Sequence, residues 1–259
     1  MARTKDRHIV VTGAGTGIGR AIAHRLGQDG ARLTLCGRRV ELLEQTAEAA
    51  SAAGARAVRV ASLDIRDRAA VDAAFTTAAA DFGPIHALVA NAGVGGPNAD
   101  GDDDRFFDLV QTNLVGTYHT CRAALRNLES GPHARHLVVV ASILGRFGVP
   151  GYTGYCASKT GLLGMVRAFA KEVASLEVQV NAICPGWVST EMAWQGIDGM
   201  AAGMGVTRDE ALAIAMREVP LGRMSEPRDV AGVVAWLLSN DARGVTGQGI
   251  DVNGGAWMG

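Results

Sequence analysis

The sequence predicts an α/β fold in which helices cover both faces of a single doubly wound parallel sheet. Short β-branched runs alternate with longer, alanine-rich amphipathic stretches through the first two-thirds of the chain. The short runs are apolar throughout, which is typical of parallel strands that are buried on both faces. A helix between consecutive strands is also what a parallel sheet needs, because the chain must cross back over the sheet before it pairs again.

Six short apolar runs and the five stretches between them predict strands and helices in strict alternation. The strands are expected at His8–Val11, Ala31–Cys36, Ala57–Ala61, Ala87–Ala90, His136–Ala141 and Val178–Ile183. The helices are expected at Gly19–Gly30, Val40–Ala53, Arg68–Phe82, Phe106–Leu128 and Gly154–Leu176. This alternation is the pattern of repeated strand–helix–strand units.

The pattern changes after Pro185. Residues 187–217 are rich in Gly, Met and Ala and predict an irregular insertion, with one helix at Arg208–Arg217. A helix at Pro227–Leu238 begins with a proline, which suits the first helical position because proline has no N–H to leave unpaired. Gly249–Val252 predicts a last strand. No linker or repeat divides the chain, so we expect one domain over residues 1–259.

Composition and charge exclude several classes of protein. The formal net charge is −1, so there is no basic field to attract a nucleic acid. No apolar run approaches the ~20 residues that span a bilayer, and the charged N-terminal residues lack a signal-peptide core. The four cysteines form no CxxC pair and indicate reduced core residues, at Cys36, Cys121, Cys156 and Cys184. We therefore expect a cytoplasmic protein.

Two neighbouring histidines are the one hint of a metal site. His133 and His136 have no third ligand within reach in the sequence. A surface loop before the fifth strand explains them more simply, so we expect no metal.

A glycine-rich turn follows the first predicted strand. Thr12-Gly13-Ala14-Gly15-Thr16-Gly17-Ile18-Gly19 joins this strand to a helix. Glycines in such a turn let the backbone approach a pyrophosphate, and the helix N-terminus directs N–H groups towards it. An ordinary βα turn could also be glycine-rich, but the strand before it and the helix after it favour a dinucleotide site.

The spacing Thr-Gly-x-x-x-Gly-x-Gly resembles that of the short-chain dehydrogenase/reductase family, and the resemblance extends from about Ile9 to Gly255. It implies a Rossmann-like fold and a nicotinamide cofactor. Asn91-Ala92-Gly93 matches a family motif that shelters the cofactor, and Asp64 matches the acid near the adenine. Pro185-Gly186-Trp187-Val188-Ser189-Thr190 matches the segment that holds the carboxamide. The cofactor-binding residues implied in this way are Gly13, Thr16, Ile18, Gly19, Asp64, Ile65, Asn91, Ala92, Gly93, Tyr155, Lys159, Pro185, Gly186, Val188 and Thr190.

The end of the second strand bears on which nicotinamide cofactor is bound. A carboxylate there would accept the ribose hydroxyls of NAD and repel a 2′-phosphate. This chain has Gly37 instead, followed by Arg38 and Arg39, and a guanidinium suits a phosphate dianion. Both arginines could instead be merely solvated at a helix start, and Thr16 is neutral where some NADP-dependent relatives carry a basic residue. We expect NADP(H), with NAD(H) as the alternative.

Tyr155 and Lys159 stand four residues apart on a predicted helix and share one face. A neighbouring ammonium favours the phenolate, which should lower the tyrosine pKa towards the working range of an acid–base catalyst. Such a pair is common on helix surfaces, but Ser142 ends the fifth strand, at the edge where parallel sheets bind ligands. The family resemblance implies that Tyr155 transfers the proton and that Lys159 binds the ribose. It also assigns Ser142 to the substrate oxygen, and Asn113 to a water leading to Lys159.

These features together predict a carbonyl reductase or secondary alcohol dehydrogenase acting on a ketone or a 3-oxoacyl thioester. Gly95-Gly96-Pro97 resembles polyketide ketoreductases, and the methionines of the 187–217 insertion suggest a substrate lid, although they could equally be core. An NAD-linked dehydrogenase working in the oxidative direction is the main alternative, and a non-catalytic NAD(P)-sensing regulator is a remote one. The resemblance also implies a homotetramer joined through the helices at about 106–128 and 154–176.

Overall fold

Seven parallel strands form one sheet in a computed structural model, which describes residues 4–99, 101–131 and 135–259. The strands lie in the order β3-β2-β1-β4-β5-β6-β7, so the chain moves outward from β1 in one direction and then in the other. Their bounds are β1 His8–Thr12, β2 Arg32–Gly37, β3 Ala57–Ser62, β4 Ala87–Ala90, β5 Arg135–Val140, β6 Val178–Pro185 and β7 Gly249–Val252. The predicted doubly wound parallel sheet is confirmed, and the predicted strand ends differ by two residues at most.

Helices cover both faces of the sheet. Their bounds are α1 Gly17–Gln28, α2 Val40–Ala53, α3 Arg68–Phe82, α4 Phe106–Val110, α5 Thr117–Arg126, α6 Thr153–Glu172, α7 Glu191–Met204, α8 Arg208–Arg217 and α9 Pro227–Leu237. Phe75 of α3 and Leu162 of α6 belong to the core on one face. Ile22 of α1 and Val234 of α9 belong to the core on the other. The predicted two-layer helical cover is therefore confirmed.

The long helix predicted at Phe106–Leu128 is not uniform. A π-helical segment, Gln111–Gly116, separates α4 from α5. A π segment adds a residue to the turn, which shifts the faces of the helix before and after it. It carries Asn113, so the irregularity lies at a predicted site residue. The other long helix, predicted at Gly154–Leu176, ends at Glu172 and is followed by the 3₁₀ turn Ala174–Leu176.

The prediction that residues 187–217 are irregular except at Arg208–Arg217 was wrong. The helix α7 precedes α8, and Thr190 caps its first turn by accepting a hydrogen bond from the Ala193 N–H. Ile197 of α7 and Ala211 of α8 are buried in a small core of their own. The glycines of α7 lower its helix propensity, but this tertiary packing outweighs them. The role of this segment as a lid stays a prediction.

His136 is not on a surface loop, as the sequence analysis predicted, but 2% exposed in β5. His133 lies outside the described residues. Within the described ranges, no group of three or more His, Cys, Asp or Glu residues could hold a metal ion. In the same ranges, no helix combines the length and the apolarity that crossing a membrane requires. All four cysteines are free.

Two buried histidines make the fold sensitive to acid. Burial lowers the pKa of His8 and of His136 to about 4, and Arg7 adds to the effect at His136. An unfolded histidine titrates near 6.5, so the unfolded chain binds more protons as the pH falls from about 6.5 to about 4. The free energy of unfolding should therefore be lost across this window, by up to about 3 kcal/mol for each histidine.

Replacement of His136 with leucine should remove its share of this pH dependence. Both ring nitrogens of His136 are buried without a hydrogen-bond partner among the described residues, so leucine should not destabilise the neutral protein. Urea unfolding at about pH 7 and about pH 4.5 measures the effect. His24→Leu, which makes the same substitution at an exposed position of α1, is the matched control. Equal pH dependence in His136→Leu and wild type would contradict this account.

Candidate active site

The glycine-rich turn between β1 and α1 has no room for side chains at two positions. Gly13 has a φ of +64°, and a Cβ on it would lie 2.7 Å from the Ala92 Cα. A Cβ on Gly19 would lie 2.2 Å from the Gly13 carbonyl oxygen. Thr16 is the N-cap of α1 and makes no side-chain bond to the first turn. A tight turn before a helix N-terminus suits an anion, and its use as the dinucleotide site stays a prediction.

Asn91 holds this turn from the side of β4. Its side-chain Nδ2 donates to the carbonyl oxygens of Thr12, at 3.0 Å, and of Gly13, at 3.1 Å. The Thr12 hydroxyl in turn accepts from the backbone N–H groups of Asn91 and Ala92, each at 3.1 Å. Asn91 was predicted to line a cofactor site, and these bonds give its side chain a second task, which is to fix the shape of the turn.

The residues predicted near the adenosine end lie in three different environments. Arg38 and Arg39 are exposed after β2, and neither guanidinium forms an ion pair within the part of the chain that the structure describes. Asp64 binds Arg66, with 2.7 Å between Oδ2 and Nη2, and this hydrogen bond is the chief reason that its pKa is lowered. Ile65 is buried in the core, where its Cγ1 would lie 2.7 Å from a Cβ on Gly116. Its side chain thus packs inward.

Three of the four predicted catalytic residues meet at the carboxyl edge of the sheet. Ser142 follows β5, is buried, and begins the 3₁₀ turn Ile143–Gly145. Tyr155 lies in the first turn of α6 and forms a hydrogen bond with the Ser142 side chain. Lys159 is buried one turn further on, and its Nζ donates to the Val140 carbonyl oxygen at 3.0 Å. The strand end and the helix thus place a hydroxyl, a phenol and an amine together.

The electrostatics of this cluster differ from the sequence-based expectation. Burial raises the pKa of Tyr155, and the hydrogen bond with Ser142 offsets only part of the rise. Burial also lowers the pKa of Lys159 to about 8. The Lys159 Nζ is 5.6 Å from the centroid of the Tyr155 ring and donates elsewhere, so desolvation outweighs its attraction for a phenolate. In the protein alone the phenol is held neutral, the state in which it can donate a proton.

Asn113 is buried in the π segment, and all the hydrogen-bonding groups of its amide are engaged. Oδ1 accepts from the Val94 N–H at 2.8 Å, while Nδ2 donates to the Val94 carbonyl at 2.9 Å and to the Ser158 hydroxyl at 3.1 Å. The side chain therefore has no free N–H for the water that the family resemblance implies. A water at this position would therefore have to donate to an acceptor of Asn113, not accept from its amide.

Ser158 belongs to the site, although the sequence analysis did not select it. It is fully buried, accepts from Asn113 and donates to the Tyr155 carbonyl oxygen at 2.8 Å. It thereby joins the π segment to the turn that carries Tyr155. The sequence signal was its position three residues after Tyr155, which places both on one side of α6.

The segment after β6 closes over the glycine-rich turn. The Gly186 N–H donates to the Val252 carbonyl at 3.1 Å, directly after Pro185 ends β6, and Val188 is buried beside Ser225. The Thr190 Cγ2 would lie 3.1 Å from a Cβ on Gly17. Residues 185–190 and the turn were predicted to serve one site, and the fold brings them together.

The loop after β4 contacts α7 through Gly95, which packs against Met192 and accepts a hydrogen bond from Arg105. The Met192 Sδ would lie 2.9 Å from a Cβ on Gly95, so the helix rests on this glycine. Arg105 donates to the Gly95 carbonyl oxygen at 3.2 Å. Met192 had been selected only as an apolar residue of the insertion. Its contact with Gly95 depends on α7, which the sequence analysis missed.

Comparisons with known proteins agree with this geometry. A protein-family model described as enoyl-(acyl carrier protein) reductase matches residues 13–256. The 3-oxoacyl-(acyl-carrier-protein) reductase FabG of Haemophilus influenzae is 36% identical over 251 residues, covering 96% of this chain and 97% of that protein. A crystal structure of an actinorhodin polyketide ketoreductase variant with NADPH superimposes with a TM-score of 0.91 at 35% identity, covering 98% of each chain. Levodione reductase gives a TM-score of 0.88 at 31% identity, again covering 98% of each chain.

The match extends over nearly the whole chain, and it includes both the glycine-rich turn and the Ser142–Tyr155–Lys159 cluster. The resemblance inferred from the sequence motifs is therefore confirmed. The chain belongs to the short-chain dehydrogenase/reductase family and is an NAD(P)-dependent oxidoreductase.

Proposed function

We propose that this enzyme is an NADPH-dependent ketoreductase that reduces a 3-oxoacyl thioester or a related ketone, with Tyr155 as the proton donor. The observation that carries the proposal is the cluster of Ser142, Tyr155 and Lys159 at the carboxyl edge of the sheet, beside a glycine-rich turn. Relatives named as 3-oxoacyl-(acyl-carrier-protein) reductase and polyketide ketoreductase support the substrate class. The NADPH in the ketoreductase structure supports the cofactor.

The residues fit a dinucleotide phosphate. The turn at Gly13 and Gly19 lets backbone N–H groups approach a pyrophosphate. Arg38 and Arg39 are exposed after β2, and their guanidinium groups suit a 2′-phosphate. When bound, the reduced nicotinamide would supply the hydride. We propose that the pocket is completed by Thr16, Ile18, Asp64, the backbone of Ile65, Asn91-Ala92-Gly93, Lys159 and the segment of Pro185, Gly186, Val188 and Thr190.

Each catalytic side chain has a task that its contacts support. The neutral Tyr155 phenol donates its proton to the carbonyl oxygen of the substrate as that oxygen gains negative charge. The Ser142 hydroxyl orients the same oxygen by a hydrogen bond. Lys159 keeps positive charge behind the phenol, which favours the tyrosinate left after the transfer. Asn113 and Ser158 position α6, and thus Tyr155, through their buried hydrogen bonds.

The protonated state of the Tyr155 phenol supports the reductive direction that we propose. A phenol whose pKa is raised is protonated at neutral pH, which suits reduction of a ketone more than oxidation of an alcohol. We test this with a panel of 3-oxoacyl thioesters and simple ketones against NADPH, and with the matching alcohols against NADP⁺. Reduction of at least one thioester is the expected result. Activity limited to alcohol oxidation with NAD⁺ would support the alternative dehydrogenase.

Cofactor preference provides a separate prediction. Replacing Arg38 and Arg39 together with alanine should raise the KM for NADPH about 10- to 100-fold, because charge-assisted hydrogen bonds contribute about 1.5–3 kcal/mol each. The KM for NADH should change little, since NADH has no 2′-phosphate. Arg56→Ala, at another exposed arginine, is the control and should leave both values unchanged. An equal rise in KM for both cofactors would show that the two arginines do not bind the 2′-phosphate.

We further propose that the enzyme works in the cytoplasm as a homotetramer. Light scattering of the purified protein tests the assembly state directly, and a monomer would contradict it.

A further inference from the structure

An ion pair connects the turn after Ser142 to the last strand of the sheet. Arg146 follows the 3₁₀ turn Ile143–Gly145, and Asp251 lies in β7. The Arg146 Nε is 3.2 Å from Asp251 Oδ1, and Nη2 is 3.2 Å from Oδ2. Nη2 also donates to the Gly249 carbonyl oxygen at 2.6 Å. The side chains are 17% and 24% exposed, so this is a largely buried bidentate pair.

The other side of the same turn is held by α6. A Cβ on Gly145 would lie 2.9 Å from the Lys159 carbonyl oxygen, so the turn rests directly on the helix backbone. The Thr160 hydroxyl donates to the Gly145 carbonyl oxygen at 3.3 Å. Arg146 therefore follows a turn that packs against the helix carrying both Tyr155 and Lys159.

Within the turn, short hydrogen bonds transmit the position of Arg146 to Ser142. The Gly145 N–H donates to the Ser142 carbonyl at 2.9 Å, and the Leu144 N–H donates to the Ser142 hydroxyl oxygen at 3.1 Å. The Arg146 N–H donates to the Ile143 carbonyl at 2.8 Å. These bonds connect the backbone of Arg146 to the Ser142 hydroxyl through a single turn.

We propose that Arg146 is a positioning residue for catalysis, which holds the Ser142 hydroxyl against the Tyr155 phenol through its bidentate pair with Asp251. The inference rests on the proposed function of Ser142 and Tyr155. A buried ion pair is by itself weak evidence for stability, because desolvation offsets much of the attraction. Geometric control of a reacting group is a task for which a fixed, planar guanidinium is suited.

Three substitutions disturb the pair in different ways. Arg146→Met removes both the positive charge and the bidentate hydrogen bonds of the guanidinium. Asp251→Asn removes the negative charge, and Gly249→Ala keeps both charges. The alanine Cβ would lie 2.7 Å from the Arg146 Nη2 and should displace the guanidinium. We expect each to lower kcat about tenfold, since a misplacement of about 1 Å can cost up to 100-fold. Asp251 precedes Val252, which accepts from the Gly186 N–H of the proposed cofactor pocket, so kcat is measured at saturating NADPH and the Kd for NADPH is measured separately. Arg146→Lys keeps the positive charge but cannot form the bidentate hydrogen bonds. It should have a kcat between those of Arg146→Met and the wild type.

The double variant Arg146→Met/Asp251→Asn tests whether the two residues act as one unit. Its kcat should be no lower than that of the worse single variant. The matched controls are Arg59→Met and Asp81→Asn, which break an ion pair between β3 and α3 whose arginine is 20% exposed. These controls should lose stability at most and keep the wild-type kcat.

A measurement that does not depend on catalytic activity tests the role of Arg146 separately from the proposed function. The ultraviolet titration of Tyr155, isolated by subtracting the spectrum of Tyr155→Phe, should move to higher pH in Arg146→Met, as it should in Ser142→Ala. That shift is expected because the Ser142 hydrogen bond lowers the pKa of Tyr155. Unchanged titration together with unchanged kcat overturns the positioning role. Absence of ketone reduction by the wild type would overturn the proposed function instead, and the titration would still decide the role of Arg146.

Discussion

Replacing Tyr155 with phenylalanine is expected to lower kcat for ketone reduction about 10³-fold, within the range of about 10²–10⁴ that general acid catalysis contributes. The change removes one oxygen and keeps the ring, which lies in the first turn of α6. Folding and the Kd for NADPH should therefore stay close to those of the wild type. Stopped-flow measurement of NADPH oxidation gives the rate, and fluorescence titration gives the Kd.

Tyr152→Phe is the matched control, because Tyr152 is the N-cap residue of the same helix and its side chain forms no cap hydrogen bond. It should keep nearly the wild-type kcat. If Tyr155→Phe retained more than about a tenth of the activity, some other group would have to deliver the proton.

The pH dependence of the wild type should reflect the same phenol. Reduction needs the protonated tyrosine, whose pKa is raised, so kcat should hold through neutral pH. It should fall at alkaline pH, where Lys159 loses its charge from about pH 8 upward and the phenol then ionises. Alcohol oxidation, which needs the proton to be accepted, should rise over the same range.

Replacing Gly19 with alanine is expected to weaken NADPH binding at least about 100-fold, because the backbone around the pyrophosphate would have to move by a large part of an ångström. The new Cβ would lie 2.2 Å from the Gly13 carbonyl oxygen and 2.5 Å from the Asn91 Nδ2. The contact with Gly13 is with backbone, which cannot rotate away as a flexible side chain can. Overpacking of this kind also costs about 1–3 kcal/mol of stability, which should leave the protein folded.

Gly232→Ala controls for the general effect of alanine at a helical glycine. Gly232 is exposed in α9, and a Cβ there meets nothing within 4 Å. This variant should bind NADPH like the wild type and gain up to about 1 kcal/mol in stability, since alanine favours a helix. Isothermal titration calorimetry of both variants tests the difference. Equal affinity in the two would mean that the turn at Gly19 is not the phosphate site.

Local patterns were sufficient for most of the fold and for the core of the candidate site. The glycines of the first turn lie within seven residues of one another, between Gly13 and Gly19, and their conformation depends on the chain next to them. Tyr155 and Lys159 share a helix face at any helical position with that spacing. Ser142 could be placed because strand ends of a parallel sheet meet at one edge.

Other features depend on contacts between distant parts of the chain. The helix α7 forms although its glycines oppose it, because Ile197 and its neighbours pack against α8. The π segment at Gln111–Gly116 contains Asn113, which forms hydrogen bonds with Val94 and Ser158. The hydrophobic periodicity of the sequence does not predict these bonds. The Arg146–Asp251 pair joins residues that are 105 positions apart.

By itself, the sequence determined the doubly wound parallel sheet, the glycine-rich turn and the choice of candidate acid–base residues, because each follows from short-range spacing and hydrophobic pattern. Only the tertiary structure decided the direction in which the pKa of Tyr155 shifts. The spacing of Tyr155 and Lys159 favours a lowered phenol pKa, yet burial raises the pKa of Tyr155. The Lys159 Nζ donates to the Val140 carbonyl oxygen instead of contacting the phenol oxygen. Desolvation depends on everything that packs around a group, and for this reason the direction of the pKa shift could not be predicted from the spacing of two residues along the chain.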